Sequence, residues 1–181
     1  MEVEILRIKD NNAIIEITYE DLLKYHGKQM IGGVALAFKI MLMTFPKLCD
    51  EIPERGNFSF YSGIGKNGRG IIDACEMVMR VKTNDQLRLN IEYSEDKPGE
   101  IAPGGGRYYF EIGYKKKLVK LYLKEGIISE EFIVYSKLAH QCRKENVPMR
   151  DDDQEKLLQL RQELAKSIMS SSPEDMFVII N

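Results

Sequence analysis

The sequence predicts an α+β domain in which a small mixed or antiparallel sheet is covered by helices. Three observations lead to this fold class: short β-rich runs between turn formers, one long apolar run of helical length, and two polar helical runs after Gly126. A chain of 181 residues with 44% hydrophobic content can bury one main core. We therefore predict an α+β core over residues 1–125 and a C-terminal helical extension over residues 126–181, which packs on the core or on a dimer partner.

The first predicted elements are a hairpin and a short capped helix. Residues 4–9 and 13–17 are β-rich runs, and turn-forming residues lie between them. Thr18 and Asp21 have the spacing of a capping box, in which each side chain accepts a hydrogen bond from the other residue's backbone N–H. The helix is expected to stop at Gly27.

A long helix, a strand, a glycine-rich loop and a second helix follow. The run from Gly33 is apolar on nearly every side, which is typical of a buried central helix, and Pro46 is expected to end it. Residues 57–61 predict a strand that leads directly into the glycine-rich loop of residues 63–70. A helix is expected over residues 71–81, because apolar side chains recur there at helical spacing.

The rest of the chain predicts three strands and two helices. Residues 87–93 alternate apolar and polar side chains, which predicts a half-buried strand. After a loop over residues 98–106, residues 108–123 predict a two-stranded hairpin at the edge of the sheet, kept soluble by its lysines. Two helices, over residues 129–146 and 151–169, are expected to form the helical tail.

Composition bounds the classes of function. The chain has 26 basic and 28 acidic residues, so it has no global field that would draw it onto nucleic acid or an anionic membrane. Its three cysteines are widely spaced and form no CxxC pair, which argues against a disulfide framework and a cysteine-rich zinc site. The N-terminus does not read as a signal peptide, and the apolar run of residues 31–45 is interrupted by Lys39. We predict a cytoplasmic protein with no nucleic-acid or membrane partner.

The glycine-rich loop matches the pattern GxGxxG over residues 63–68. It follows a predicted strand and precedes a predicted helix, and Glu92 follows at roughly the 20-residue spacing at which dinucleotide-binding domains carry an acidic residue. The alternative is a strand-to-helix turn that needs positive φ at several positions, which glycine permits. The alternation of strand and helix does not continue after Tyr93, and this disfavours a doubly wound nucleotide-binding domain.

The same loop also suggests an anion site. Lys66 and Arg69 add positive charge to a helix N-terminus, where negative groups are favoured. The alternative is that both side chains are simply solvated.

His26 is the second candidate for chemistry, because histidine titrates near neutral pH and lies here at a corner between two helices. The alternative is a hydrogen-bonded structural histidine. His140 lies in a charged helical run and is expected to be solvated. Cys75 reads as an inert buried thiol, unless folding brings it to His26 as a nucleophile.

Two short motifs carry a resemblance to a known family. The chain resembles the FmdE family, named for one component of formylmethanofuran dehydrogenase, over most of its length. The family motif His-Gly-His-x-Cys-Pro-Gly falls on residues 26–32, which read HGKQMIG. The motif Cys-x-x-Asp-Ala-x-Gln falls on residues 70–76, which read GIIDACE, and the following Gly-Cys-Thr falls on residues 80–82. Residues 108–124 and 157–178 resemble the strand pair and the helical, acidic-aromatic ending of the family.

The departures from the family pattern concern its metal site. The family's histidine and cysteine positions are its candidate metal ligands, and Lys28, Met30, Gly70 and Val81 stand at the corresponding places. Lysine is protonated at neutral pH and methionine is a weak ligand, so the family's metal site cannot form with these residues. His26 is the one family candidate that survives. We therefore assign no cofactor from the sequence, and we predict no metal at these positions.

The resemblance implies a fold like the catalytic domain of glyceraldehyde-3-phosphate dehydrogenase, a homodimer, and a small anionic ligand or an accessory role in C1 metabolism. The implied pocket lies between the His26 corner and residues 63–76. The candidate residues are these: His26 and Asp73 for catalysis, and Lys28, Lys66, Arg69 and Glu76 for ligand binding. Two alternatives stay open, a nucleotide-dependent enzyme that uses the glycine loop and a non-catalytic subunit of a larger enzyme complex.

Overall fold

The computed structural model of the protein describes residues 3–180 and confirms the α+β fold class. The chain begins with the predicted hairpin, β1 (Leu6–Asp10) and β2 (Ala13–Ile17), which forms a separate two-stranded antiparallel sheet. Helix α1 (Tyr19–His26) follows with the predicted capping box of Thr18 and Asp21. Gly27 ends this helix, as expected.

The main sheet has five strands in the order β4-β3-β5-β6-β7. It is mixed, because β3 and β4 are parallel while every other neighbouring pair is antiparallel. The strands are β3 (Phe58–Ser62), β4 (Leu87–Arg88), β5 (Tyr109–Tyr114), β6 (Lys117–Leu123) and β7 (Phe177–Ile180).

Helices α2 (Ile31–Leu48) and α3 (Arg69–Met79) pack against the main sheet, and the short α6 (Pro173–Met176) contacts β7. Helix α5 (Asp151–Ser170) packs on α2, and α4 (Glu130–Glu145) packs on α5. Helix α2 is central and packs against both α3 and α5. Phe60 and Ile112 of the sheet belong to the same buried core cluster as Phe38 of α2 and Ile168 of α5. Residues after 125 therefore share one core with residues before it.

Helix α2 has different limits from those predicted. It begins at Ile31 rather than Gly33, and Pro46 lies inside its last turn rather than at its end. Proline removes one backbone donor, but the N–H of Cys49 still donates to the carbonyl of Phe45 and closes the turn. This helix is long and apolar enough to cross a membrane. However, 72% of its residues are buried within the fold, as expected for a core helix.

Lys39 is the one charged side chain near the middle of α2, and it is 2% exposed. Its ammonium donates to both carboxylate oxygens of Glu4, at 2.8 and 2.7 Å. A buried charge is tolerated when it is paired and hydrogen-bonded. This ion pair therefore explains how a lysine interrupts an otherwise apolar helix.

The strand predicted over residues 87–93 is wrong for most of its length. Only Leu87 and Arg88 pair with β3, and a 3-10 turn begins at Ile91. The chain leaves the sheet because Ser94 turns back onto β3, where its hydroxyl donates to the carbonyl of Gly63 at 3.0 Å. Alternation of polar and apolar residues therefore arises here from a loop that is buried on one side.

The hairpin predicted over residues 108–123 exists, but it does not lie at the edge of the sheet. Strand β5 pairs with β3 and β6, and β6 pairs with β7. The prediction of a wholly helical tail is wrong at its end, where residues 177–180 form β7. These four residues are aromatic or β-branched, which favours a strand. Residue 181, included in the predicted extension, lies outside the described part of the chain.

Candidate functional site

The predicted catalytic pair, His26 and Asp73, is brought together by the packing of α1 against α3. The Nδ1 atom of His26 lies 2.7 Å from Oδ2 of Asp73, and its Nε2 atom lies 2.7 Å from the carbonyl oxygen of Gln29. Both ring nitrogens of His26 therefore have a hydrogen-bond partner, one on a side chain of α3 and one on the backbone. The His26 side chain is only 7% exposed. The contacts form a bridge from the end of α1 to α3, and the catalytic roles of the two residues stay predictions.

We expect His26→Ala to lower the free energy of unfolding by roughly 1–3 kcal/mol, because the carboxylate of Asp73 and the carbonyl of Gln29 would both lose the ring as a hydrogen-bond partner. Urea unfolding would measure this loss, and Lys28→Ala, at an exposed position two residues away, serves as the control. Equal stability of the two variants would contradict a structural role for the His26 bridge.

Glu76 lies at the opposite end of α3, where its carboxylate is occupied by the turn that follows the helix. It accepts hydrogen bonds from the backbone N–H groups of Lys82, at 2.6 Å, and Thr83, at 3.2 Å, and from the Thr83 hydroxyl. The residue is 7% exposed. These contacts hold the chain as it turns toward β4, and they occupy the carboxylate that was predicted to bind the ligand.

The three predicted basic residues are exposed and do not converge. Lys66 and Arg69 line a shallow groove that Asp73 also lines, together with Lys82 and a second carboxylate. Lys28 is exposed and does not line this groove. The groove therefore mixes both signs of charge, which weakens its attraction for an anion.

The glycine-rich loop lies between parallel strands β3 and β4, as a nucleotide-binding loop would, but protein atoms fill the space beside its glycines. A Cβ on Gly63 would lie 2.6 Å from the carbonyl oxygen of Arg107 and 2.9 Å from that of Tyr109. At Gly68 a Cβ would lie 2.7 Å from the Ile64 side chain. Within this loop only Gly65 has a positive φ, at 61°. Close packing within the protein, more than turn geometry, therefore explains these glycines.

Two further glycines bring the N-terminal ends of α2 and α3 into contact. A Cβ on Gly70 would lie 2.6 Å from the carbonyl oxygen of Met30, and a Cβ on Gly33 would lie 3.3 Å from the backbone nitrogen of Ile71. Neither helix has a side-chain cap at this end. Each N-terminus carries a partial positive charge of about half a unit. The crossing therefore concentrates positive potential at one place.

A cavity of about 90 Å³ opens beside this crossing. Its floor includes Gly33 of α2 and Gly70 of α3, and residues 102–104 form one side. One face of α4 forms the roof, through residues at helical spacing: Phe132, Ser136, Ala139, His140 and Arg143. Helix α4 has no fully buried residue. Its inward face therefore borders this cavity instead of completing a packed core.

The charged side chains that line the cavity are all basic. Arg143 of α4 donates to Nδ1 of His140 at 2.9 Å, and Arg161 of α5 completes the cluster. Burial and the two arginines lower the pKa of His140 below its ordinary 6.5. Burial and Arg143 also lower the pKa of Arg161. Among the lining residues of the described chain there is no carboxylate, so the fold holds these positive groups together without a counter-ion.

The cavity was only partly predictable. Its floor does lie between the predicted His26 corner and the glycine-rich segment, but none of the six predicted site residues lines it. The expectation that His140 is simply solvated is wrong, since His140 is half-buried and faces the cavity. A usable signal was present in α4: Phe132, Ala139 and Arg143 fall on one helical face, where an apolar stripe turns basic. Cys75 is fully buried, and burial raises the pKa of its thiol, as expected for an inert cysteine.

A metal site is not evident in the described chain. Among residues 3–180 no three histidine, cysteine, aspartate or glutamate side chains lie close enough to hold a metal ion. His26, the surviving family candidate, uses both ring nitrogens in protein contacts.

Comparison with known proteins leaves the family undetermined. The sequence matches no protein-family model and no curated protein. The resemblance to the FmdE family therefore stays a prediction, and the geometry of the cavity is the main guide to function.

Proposed function

We propose that this protein binds a small anionic molecule in the cavity beneath α4. The observation that carries the proposal is that Arg143 and Arg161 line the cavity together with His140, while no carboxylate is among its lining residues. Like charges held together in a partly buried place repel one another and cost free energy. A bound anion would remove this cost and would gain charge-assisted hydrogen bonds.

The cavity supports this proposal better than the groove at Lys66 and Arg69. In the groove, Asp73 and Asp85 offset the basic side chains. In the cavity, no carboxylate among the lining residues offsets Arg143 and Arg161.

We also propose, from the resemblance to the FmdE family, that the ligand belongs to C1 metabolism and that the chain acts there as an accessory protein and a homodimer. The contacts around Gly63 and Gly68 do not favour the alternative of a nucleotide-dependent enzyme, because the space in which a ligand phosphate would approach the loop is occupied.

Sulfate tests the proposal, because its charge does not change between pH 5.5 and 7.5. The lowered pKa of His140 means that this ring is largely neutral in the free protein at pH 7.5. A bound anion offsets the two arginines and favours protonation of the ring, so affinity should rise as pH falls. We expect about a threefold to tenfold gain in sulfate affinity from pH 7.5 to 5.5, measured by calorimetry.

The variant His140→Asn supplies the control for this titration. It should still bind sulfate at pH 7.5, because both arginines remain, but its affinity should vary little with pH. An unchanged pH dependence in this variant would assign the titration to another group, and failure of the wild type to bind sulfate at either pH would count against the proposed function.

A further inference from the structure

The cavity has two chemically different ends. Its inner end is formed by apolar side chains that are almost fully buried, among them Leu36 at 2%, Ile71 at 1% and Ile128 at 2% exposure. Its outer end carries the basic groups, where Arg143 is exposed and Arg161 is half-buried. From the inner end of the cavity to its outer end, the lining side chains therefore become more exposed and more basic.

A compact inorganic anion would use only one of these ends. Sulfate or phosphate at the arginines would leave the apolar inner end empty, and an unfilled apolar cavity forfeits dispersion contacts. A molecule that matches both ends has an apolar body and one anionic group.

Resting on the proposed function, we propose that the ligand is a small monocarboxylic acid with an apolar body. Its carboxylate lies between Arg143 and Arg161, whose planar guanidinium groups match a carboxylate in geometry. Its hydrocarbon part lies against Leu36, Ile71 and Ile128. The cavity, at about 90 Å³, is a small one, so we expect the hydrocarbon part of the ligand to be short.

Helix α4 contributes to the choice of ligand through its small residues. Ser136 and Ala139 line the roof between the aromatic ring of Phe132 and the basic end. A larger side chain at Ala139 would occupy part of the space of the hydrocarbon body. Val134 lies on the same helix but is 61% exposed, so it offers a matched position outside the cavity.

The experiment is a calorimetric titration of the full chain with acetate, butanoate, hexanoate and octanoate, with sulfate as the reference anion. Burial of each added methylene should strengthen binding by about fourfold up to hexanoate. Octanoate, with ten non-hydrogen atoms, should gain nothing further. In Ala139→Leu, hexanoate affinity should fall about tenfold, and Val134→Leu should match the wild type.

Two results would overturn this inference, and they differ in what else they affect. If sulfate binds, and acetate and hexanoate bind with equal affinity, the proposal that the ligand has an apolar body is wrong. The proposed anion-binding function would stay in place. Failure of both sulfate and every carboxylate to bind would remove the proposed function as well. The wild-type series decides between these outcomes even if Ala139→Leu does not fold.

Discussion

Substituting Gly63 by alanine is expected to lower the free energy of unfolding by about 3 kcal/mol or more, at the upper end of the range for overpacking. The added Cβ would approach the carbonyl oxygens of Arg107 and Tyr109 within 2.6 and 2.9 Å. Both contacts are to backbone, which cannot move aside as the end of a flexible side chain can. The main sheet would have to shift where β3 meets the loop before β5.

Gly56→Ala is the matched control for this substitution. A Cβ at Gly56 would have one neighbour, Nδ2 of Asn84, at an ordinary distance of 3.6 Å. Its stability should stay within about 0.5 kcal/mol of the wild type. Chemical denaturation measures both variants. If Gly63→Ala were as stable as Gly56→Ala, close packing would not be the reason for the glycine, and a ligand at the loop would regain support.

The double variant Arg143→Gln/Arg161→Gln is expected to weaken sulfate binding by about 100-fold or more. Each charge-assisted hydrogen bond is worth roughly 1.5–3 kcal/mol, and the variant removes one from each of two side chains. The unliganded protein should keep its stability or gain slightly, because two neighbouring positive charges are removed. Loss of binding without loss of stability is the signature of a site that the fold maintains for a ligand.

The control for the arginine pair is Lys144→Gln/Lys166→Gln. It removes the same charge from the same two helices at exposed positions that do not line the cavity. Its sulfate affinity should stay within about twofold of the wild type, since exposed charges at a distance are screened by salt. An equal loss in both double variants would indicate a general effect of net charge, and a loss confined to Lys66→Gln/Arg69→Gln would move the site to the groove.

Elements with strong local signals were predictable from the sequence. The Thr18 and Asp21 side chains cap their helix through contacts that span only three residues, so their spacing was sufficient. The apolar run of α2 also required a buried position wherever the helix was placed. The α+β class followed from these elements and from the hairpin of β5 and β6.

Features that depend on tertiary contacts were not predictable in the same way. The alternation of residues 87–93 resembles a strand, but the bond from Ser94 to the carbonyl of Gly63 ends the strand after Arg88. From the sequence, the carboxylate of Glu76 was predicted to bind a ligand. In the fold, it accepts a hydrogen bond from the backbone N–H of Thr83. Such contacts join residues that come close to one another only in the folded chain, so local sequence patterns do not predict them.

The candidate site shows the same limit more clearly. Its floor comes from residues 32–33 and 70–71, and its basic groups come from Arg143 and Arg161. The glycines of the floor could be found in the sequence, but their meaning depended on a crossing of two helices. The arginines are separated from the floor by many residues and lie in the C-terminal helices, which were predicted to pack on the core or on a dimer partner without any site being assigned to them.

A crystal structure with bound 5-bromopentanoate tests the central claim most directly, because the anomalous signal of bromine locates the ligand without relying on its shape. We predict that the carboxylate lies beside Arg143 and Arg161 and that the bromine lies at the apolar inner end, near Leu36 and Ile71. Bromine found in the groove at Lys66, or a cavity that stays without ligand at saturating concentration, would contradict the assignment of the site beneath α4.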